Sequence, residues 1–274
     1  MTDPCTRLFL SVDVVGSTAY KQTHARGDDV EVTWPELFLV FFQEFPAMFA
    51  KELQEVTAKI NAVRGFPERP TDPVLWKAIG DELVLWQKVD HELQVTAAVI
   101  AWRNTLDKYR RANIKDSDVD VKGTAWIATF PSPNREIAIP RSMDAAAAAA
   151  GSEPIAANEA NLLSADGPGA NFAVDFLGPN IDLGFRLGAR STPRKFIVAL
   201  KVADIVAAGL EQLDSGAREE LAVRFFYDGL VDLKGVAGGP YPILWIDSMP
   251  DNAFMKAEDL AADGAQVKFP GVAH

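Results

Sequence analysis

The sequence predicts one α/β domain, and three observations lead there. Short β-prone apolar runs alternate along the 274 residues with stretches whose apolar residues recur at helical spacing. No internal repeat and no clear linker breaks the chain. A hydrophobic content of 48% against 24% charged residues is that of a soluble globular protein, long enough to bury a full core.

The first strand is read at Leu8 to Val15, where Leu8, Phe9, Leu10, Val12, Val14 and Val15 suit a strand buried on both faces. Tyr20 to Val32 is polar and turn-rich. From Trp34 to Leu53 the spacing of Leu37, Phe38, Phe41, Phe45, Phe49 and Leu53 predicts a well-buried helix, with Pro35 in its first turn and Pro46 kinking or splitting it. Gly65 to Pro73 reads as a loop. Val74 to Trp86 reads as a β-hairpin turning at Gly80-Asp81. Val89 to Ala112 follows as an amphipathic helix, with Lys108, Arg110 and Arg111 near its end as the helix dipole prefers. Asp120 to Phe130 is a strand. Residues 131–171 form a long arm of weak pattern, with a short helix over the alanine run from Ala145 to Ala150. Phe172 to Arg190 is a loop entering a helix at about Gly178. A strand at Lys195 to Leu200, a helix at Lys201 to Gln212 and late strands at Arg224 to Val231 and Tyr241 to Ile246 complete the order, and residues 250–274 read as a tail.

The net charge is −11 and the pI near 4.8. A surface this acidic argues against nonspecific binding to nucleic acid or anionic membrane, and it leaves any polyanionic ligand to be met by placed cations and amides. No apolar run reaches the roughly 18 residues of a membrane helix, and MTDPCTR lacks the order of a signal peptide. Cys5 is the only cysteine, and His24, His91 and His274 have no ligand spacing. Together these point to the cytoplasm and away from cysteine or histidine metal chemistry.

The stretch LFLSVDVVGST carries the first chemical signal. Asp13 sits near the end of a buried strand, where an unpaired carboxylate costs several kcal/mol and so requires a partner. Gly16-Ser17-Thr18 then forms a small-residue turn whose amides could face an anion. A carboxylate for a metal beside an amide nest for a phosphate suits a nucleoside triphosphate held through magnesium. Taken alone, the stretch is better read as an ordinary strand–turn–helix with Asp13 as N-cap. Asp81 at the hairpin tip is a second acid, or a simple Gly-Asp turn. Asp182 and Arg186, at i and i+4, share a helix face, the usual spacing of a solvated pair.

In combination the pieces are specific, because they fall in order over about 220 residues. Asp13-Val14-Val15-Gly16-Ser17-Thr18, Lys77-Ala78-Ile79-Gly80-Asp81, Asp175-Phe176-Leu177-Gly178-Pro179-Asn180-Ile181-Asp182-Leu183-Gly184-Phe185-Arg186 and Leu233-Lys234-Gly235 resemble, in turn, the four motifs of the class III nucleotidyl cyclases, the adenylyl and guanylyl cyclase superfamily. The resemblance implies a ferredoxin-like α+β core with a mixed, mostly antiparallel sheet and flanking helices. It implies two divalent ions, Mg²⁺ or Mn²⁺, on Asp13, the Val14 backbone carbonyl and Asp81, and attack of the ribose 3′-hydroxyl on the α-phosphate with release of pyrophosphate. Arg186 would meet charge on the α-phosphate, Lys234 and the amides of Gly16, Ser17 and Thr18 the outer phosphates, and Lys77 with Asp175 the base. Family sites lie between two subunits, so a homodimer is implied. Three departures stand out: Ser17 replaces an aromatic residue, Asp182 replaces the asparagine that orients the ribose, and the arm at 131–171 is longer than usual.

Hydrogen-bond chemistry leaves the base open, because a lysine donor with a carboxylate acceptor reads adenine and suits uracil or cytosine equally. The compact chain as a whole looks most like the bacterial pyrimidine cyclases of Pycsar anti-phage systems, which implies UTP conversion to cyclic UMP, with CTP and ATP as alternatives, and a separate effector that responds to the product. A cyclase-shaped binding domain without catalysis is the reading from another class, against which stand Asp13, Asp81 and Arg186. No P-loop or Rossmann glycine signature occurs.

Overall fold

The central strand forms where the sequence places it. In a computed structural model of the chain, which describes residues 4–25, 34–64, 72–165 and 169–249, β1 spans Cys5–Val15 and its core residues Leu8, Phe9, Leu10 and Val12 are fully buried. The remaining elements, in chain order, are α1 (Ser17–His24), α2 (Trp34–Arg64), β2 (Val74–Ile79), β3 (Glu82–Val89), α3 (Glu92–Tyr109), β4 (Asp120–Phe130), β5 (Arg135–Pro140), α4 (Met143–Ala149), α5 (Pro154–Leu163), β6 (Phe172–Leu177), α6 (Pro179–Gly188), β7 (Lys195–Val198), α7 (Leu200–Glu211), α8 (Ser215–Glu220), β8 (Phe225–Val231) and β9 (Tyr241–Asp247).

Among the described residues, seven strands make one sheet in the order β2-β3-β1-β4-β7-β9-β8, and only the β4–β7 pairing is parallel. This is the mixed, mostly antiparallel sheet with flanking helices that the resemblance implied. β5 and β6 pair separately as a two-stranded antiparallel ribbon.

Strand alternation gives the sheet two chemically different faces. On one, Gly123 of β4 lets α3 approach so closely that an added methyl group would sit 2.8 Å from Leu106 and 3.0 Å from Trp102. α2 packs on α3 through edge-to-face contacts of Phe45 and Phe49 with Trp102 and of Phe41 with Tyr109. On the other face, Phe9 stacks on Trp126 at 5.4 Å and meets Phe176 of β6 edge-on at 5.3 Å, while Phe185 of α6 lies 5.6 Å from Trp126. α6 and β6 therefore cover the face that also carries Asp13.

Several expectations need correction. Pro46 lies inside α2 and does not split it. The lost backbone hydrogen bond is outweighed because Phe45 and Phe49, on either side of it, are buried in the core. The polar stretch after β1 begins with helix α1, and the rest of it, 26–33, lies outside the described residues, as do most of the Gly65–Pro73 loop and the 250–274 tail. Phe172–Leu177 is a strand rather than a loop. Its apolar run pairs with β5, a strand within the weakly patterned arm at 131–171. That arm is largely ordered: β5, α4 and α5 occupy most of it. The third helix starts only at Glu92, capped by His91, and passes at Arg110–Ile114 into a π-helical turn. Its three terminal cations serve side chains and distant carbonyls in addition to the dipole. Lys108 pairs with Glu52, Arg111 with Asp107, and Arg110 donates to Asp120 and to the carbonyls of Val121, Pro193 and Ser248 at 2.6–3.1 Å.

Candidate active site

The site grows out of one strand's alternation. Phe9, Ser11 and Asp13 project from the same face of β1, and antiparallel register sets them opposite Trp126, Thr124 and Lys122 of β4. Over five residues this face changes from aromatic to hydroxyl to charged. On the other side of β1, Asp13 faces Glu82, the first residue of β3. The two-residue turn Gly80-Asp81, with Gly80 at φ +66°, brings Asp81 back beside β1, and the Val14 N–H donates to the Asp81 carbonyl at 3.4 Å. Two acids 68 positions apart in the chain thus meet across neighbouring strands.

The electrostatics follow from this crowding. Burial raises the Asp13 carboxyl above its ordinary value; Lys122, 3.1 Å away, opposes the rise, and the charge of Asp81 adds to it. Glu82 is raised as well, first by burial, while a Ser11 hydrogen bond lowers it and the charges of Asp13 and Asp81 push further upward. Lys122 thus acts on two of the three crowded carboxylates, Asp13 and Glu82. Among the described residues no group of three or more acids, histidines or cysteines is arranged to cage a metal. The donor set is two carboxylates and strand carbonyls, hard oxygens that suit Mg²⁺ or Mn²⁺ completed by water and phosphate.

Asp13 is not a helix cap. The N-cap of α1 is Gly16, and no side chain caps the first turn. Gly16 is required twice over: its φ is +84°, and an added methyl group would sit 3.0 Å from the Asp118 carbonyl. Ser17 is buried behind the turn and Thr18 is exposed, so the first amides of α1 remain open to an anion.

Lys77 and Asp175 are also brought together, their ion pair closing at 2.8 Å with both side chains about a third exposed. Lys77 rests over the Trp76 ring, and register places it two strands from β1 at the level of Ser11. Asp182 and Arg186 are exposed on α6 and form no ion pair with each other. The helix itself is held firmly. Asn134, fully buried, accepts from the Asn180 N–H and donates to the Asn180 side chain. Gly184 lies so close to Trp126 that a methyl group would approach its ring to 2.2 Å.

Lys234 is not part of this gathering. It sits exposed in the turn between β8 and β9, beyond Tyr241, whereas Asp13 lies at the end of the sheet where β9 finishes at Asp247. At about 3.3 Å per residue, the registers separate the two by roughly 20 Å along the strands alone.

Lys122, Glu82, Ser11 and Thr124 were not singled out from sequence. Alternation from Asp13 points to Ser11, and Glu82 adjoins Asp81, but Lys122 and Thr124 are revealed only by the β1–β4 register. With Gly188, Ala189 and Ser191 from the end of α6 they line a cavity of about 200 Å³ beside Asp13.

No family model matches the chain, and no curated protein matches it. Among solved structures it is similar to the adenylyl cyclase CyaB from P. aeruginosa, at 10% identity with 90% of this chain and 95% of that chain covered and a TM-score of 0.48. It is similar to the guanylate cyclase domain of RhGC from Catenaria anguillulae in complex with GTP, at 10% identity, 89% and 98% covered, TM-score 0.47. A third is the adenylate/guanylate cyclase/hydrolase from Silicibacter pomeroyi, at 12% identity, 92% and 100% covered, TM-score 0.46. No helix among the described residues is long and apolar enough to cross a membrane.

Proposed function

We propose that the protein is a nucleotidyl cyclase that closes a ribonucleoside triphosphate to its 3′,5′-cyclic monophosphate. The observation that carries this reading is the meeting of Asp13 and Asp81 next to the open amides of Gly16, Ser17 and Thr18. The oxygen donors fit a divalent ion, and their charge exceeds what Lys122 alone offsets. Asp13, the Val14 carbonyl and Asp81 would hold two such ions, which supply Lewis-acid activation of the α-phosphate and of the 3′-hydroxyl.

The chain's own groups do the positioning. The turn amides receive β- and γ-phosphate oxygens. Lys77 and Asp175 neutralise each other at rest and open to a base edge that offers one acceptor and one donor. Asp182, free of Arg186, takes a ribose hydroxyl, which the asparagine of the resembled family would also do. The Arg186 guanidinium meets charge developing on the α-phosphate as the O3′–P bond forms and the bond to pyrophosphate breaks. Lys234 lies too far from Asp13 to serve the same site within one chain. We therefore read the enzyme as a two-fold homodimer in which each metal pair is completed by the partner.

UTP is our first choice of substrate, on the sequence resemblance to bacterial pyrimidine cyclases, with the product acting as a messenger for a separate effector. The Lys77–Asp175 pair suits adenine equally, which keeps ATP as a second reading. Incubation of the pure protein with each of the four ribonucleotides and Mn²⁺, with products identified by mass, tests both. One dominant cyclic product, absent in Asp13→Ala and Asp81→Ala, is expected. No cyclic product from any of the four nucleotides refutes the cyclase, and cyclic product that survives both substitutions refutes the site at Asp13 and Asp81.

A further inference from the structure

We propose that Lys122 is a resident counter-cation that must leave Asp13 before a divalent ion binds there, and that the adjoining cavity, with Glu82 and Thr124 as acceptors, is the seat to which its ammonium moves. The inference rests on the reading of Asp13 and Asp81 as metal ligands and assigns to that site a gate of its own.

Four observations carry it. Lys122 faces Asp13 directly across the β1–β4 ladder, and its Nζ lies 3.1 Å from Asp13 Oδ2, an oxygen that an incoming ion also needs. An ammonium and a divalent cation on one carboxylate oxygen repel, so one must yield. A second carboxylate, Glu82, flanks Asp13 from the opposite strand, and the Lys122 charge already acts on it. The cavity of about 200 Å³ between them has room for several waters, at about 30 Å³ each, and so for a relocated ammonium. Finally, Thr124 is among the residues lining this cavity, is 1% exposed, and has a buried Oγ1 with no hydrogen-bond partner among the described residues. A buried hydroxyl left unmatched is costly, and a lysine donor arriving beside it removes that cost.

The physical consequence is a trade. At rest Lys122 offsets part of the charge of three crowded carboxylates and keeps the site assembled without metal. It also lowers the site's affinity, so that ions load at a higher concentration than an unguarded aspartate pair would need.

Mn²⁺ binding to the full-length protein without nucleotide, followed by electron paramagnetic resonance of the free ion, tests the idea independently of catalysis. Wild type should show a binding event that Asp13→Ala abolishes. Lys122→Met and Lys122→Gln should bind Mn²⁺ about 10-fold more tightly, the scale of removing one unit charge a few ångströms from the ion in a partly solvated site. Lys122→Arg should show no tightening. Thr124→Val, which removes the acceptor while nearly keeping the shape, should weaken binding several-fold. Thermal melts identify any variant that fails to fold, and the two neutral substitutions back each other up. Unchanged or weaker Mn²⁺ affinity in both neutral variants overturns the inference and leaves the cyclase reading intact. Wild type without an Asp13-dependent event overturns both.

Discussion

Gly184→Ala isolates what α6 contributes. Two effects oppose each other. Alanine is favoured over glycine in a helix by about 0.8–1 kcal/mol. Against this, the new methyl group would lie 2.2, 2.3 and 2.5 Å from three atoms of the Trp126 indole, where carbon atoms rest at about 3.5 Å or more. Trp126 cannot retreat, because it is 1% exposed and stacked within 8° of parallel on Phe9. The helix must therefore lift by roughly 1 Å, and overpacking of this kind costs typically 1–3 kcal/mol. Three contacts this short put the clash at the upper end of that range, so the net loss is up to about 2 kcal/mol, or up to about 5 °C in melting temperature. Arg186, which in the proposed function meets charge on the α-phosphate, rides on the same helix, and a displacement near 1 Å at such a group is worth about 100-fold in kcat. Gly188→Ala on the same helix is the control: its methyl group would meet only Thr124 Oγ1, at 3.6 Å, so stability should be kept or slightly raised. Urea denaturation and steady-state turnover with the preferred nucleotide read both quantities. A Gly184→Ala protein as stable and as active as wild type would show that α6 does not sit on Trp126 as described.

Further outcomes are expected elsewhere. Lys77→Ala should change stability by less than about 1 kcal/mol, because the pair it breaks is partly exposed, yet relax the choice of base, seen as a flatter profile of kcat/KM across the four nucleotides. Arg186→Ala should lose at least about 100-fold in kcat with little change in KM, and mixing it with Asp13→Ala should restore partial turnover if sites are shared between chains. Arg110→Ala removes four hydrogen bonds, three of them to carbonyls of separate segments, and should cost about 3 kcal/mol in chemical denaturation. Lys108 is raised from its ordinary value of 10.5, first by its hydrogen bond to Glu52 and then by the charges of Glu52 and Glu55. A raised lysine stabilises the fold fully below its unfolded value and ceases to do so as pH climbs through the folded one. The loss of stability above about pH 10.5 should therefore be smaller in Glu52→Gln than in wild type, measured by denaturation across pH 8–11.

Much of this protein is written locally. The strand Asp120–Phe130 has the bounds its residues predict, the Val74–Val89 hairpin turns at Gly80-Asp81 and carries Asp81 at its tip, and Asp13 stands out because an acid at the end of a buried strand needs a partner. Propensity, periodicity and turn chemistry act over a few residues, so a sequence reading reaches them. Phe172–Leu177 escaped that reading because a six-residue strand is defined by its partner, β5, some 35 positions earlier. Pro46 misled for a related reason: its local cost is visible, whereas the aromatic packing that outweighs it is not.

By itself the sequence determined the central strand, the two long helices, the hairpin and the strands Asp120–Phe130, Lys195–Val198 and Tyr241–Asp247, together with the two acids and the glycine turn beside Asp13. Only the tertiary structure decided that Lys122 and Glu82 flank Asp13, that Thr124 faces a cavity without a partner, and that Lys234 lies at the far end of the sheet. Those facts belong to strand register and helix docking, and register is set by which faces can be buried together across the whole chain.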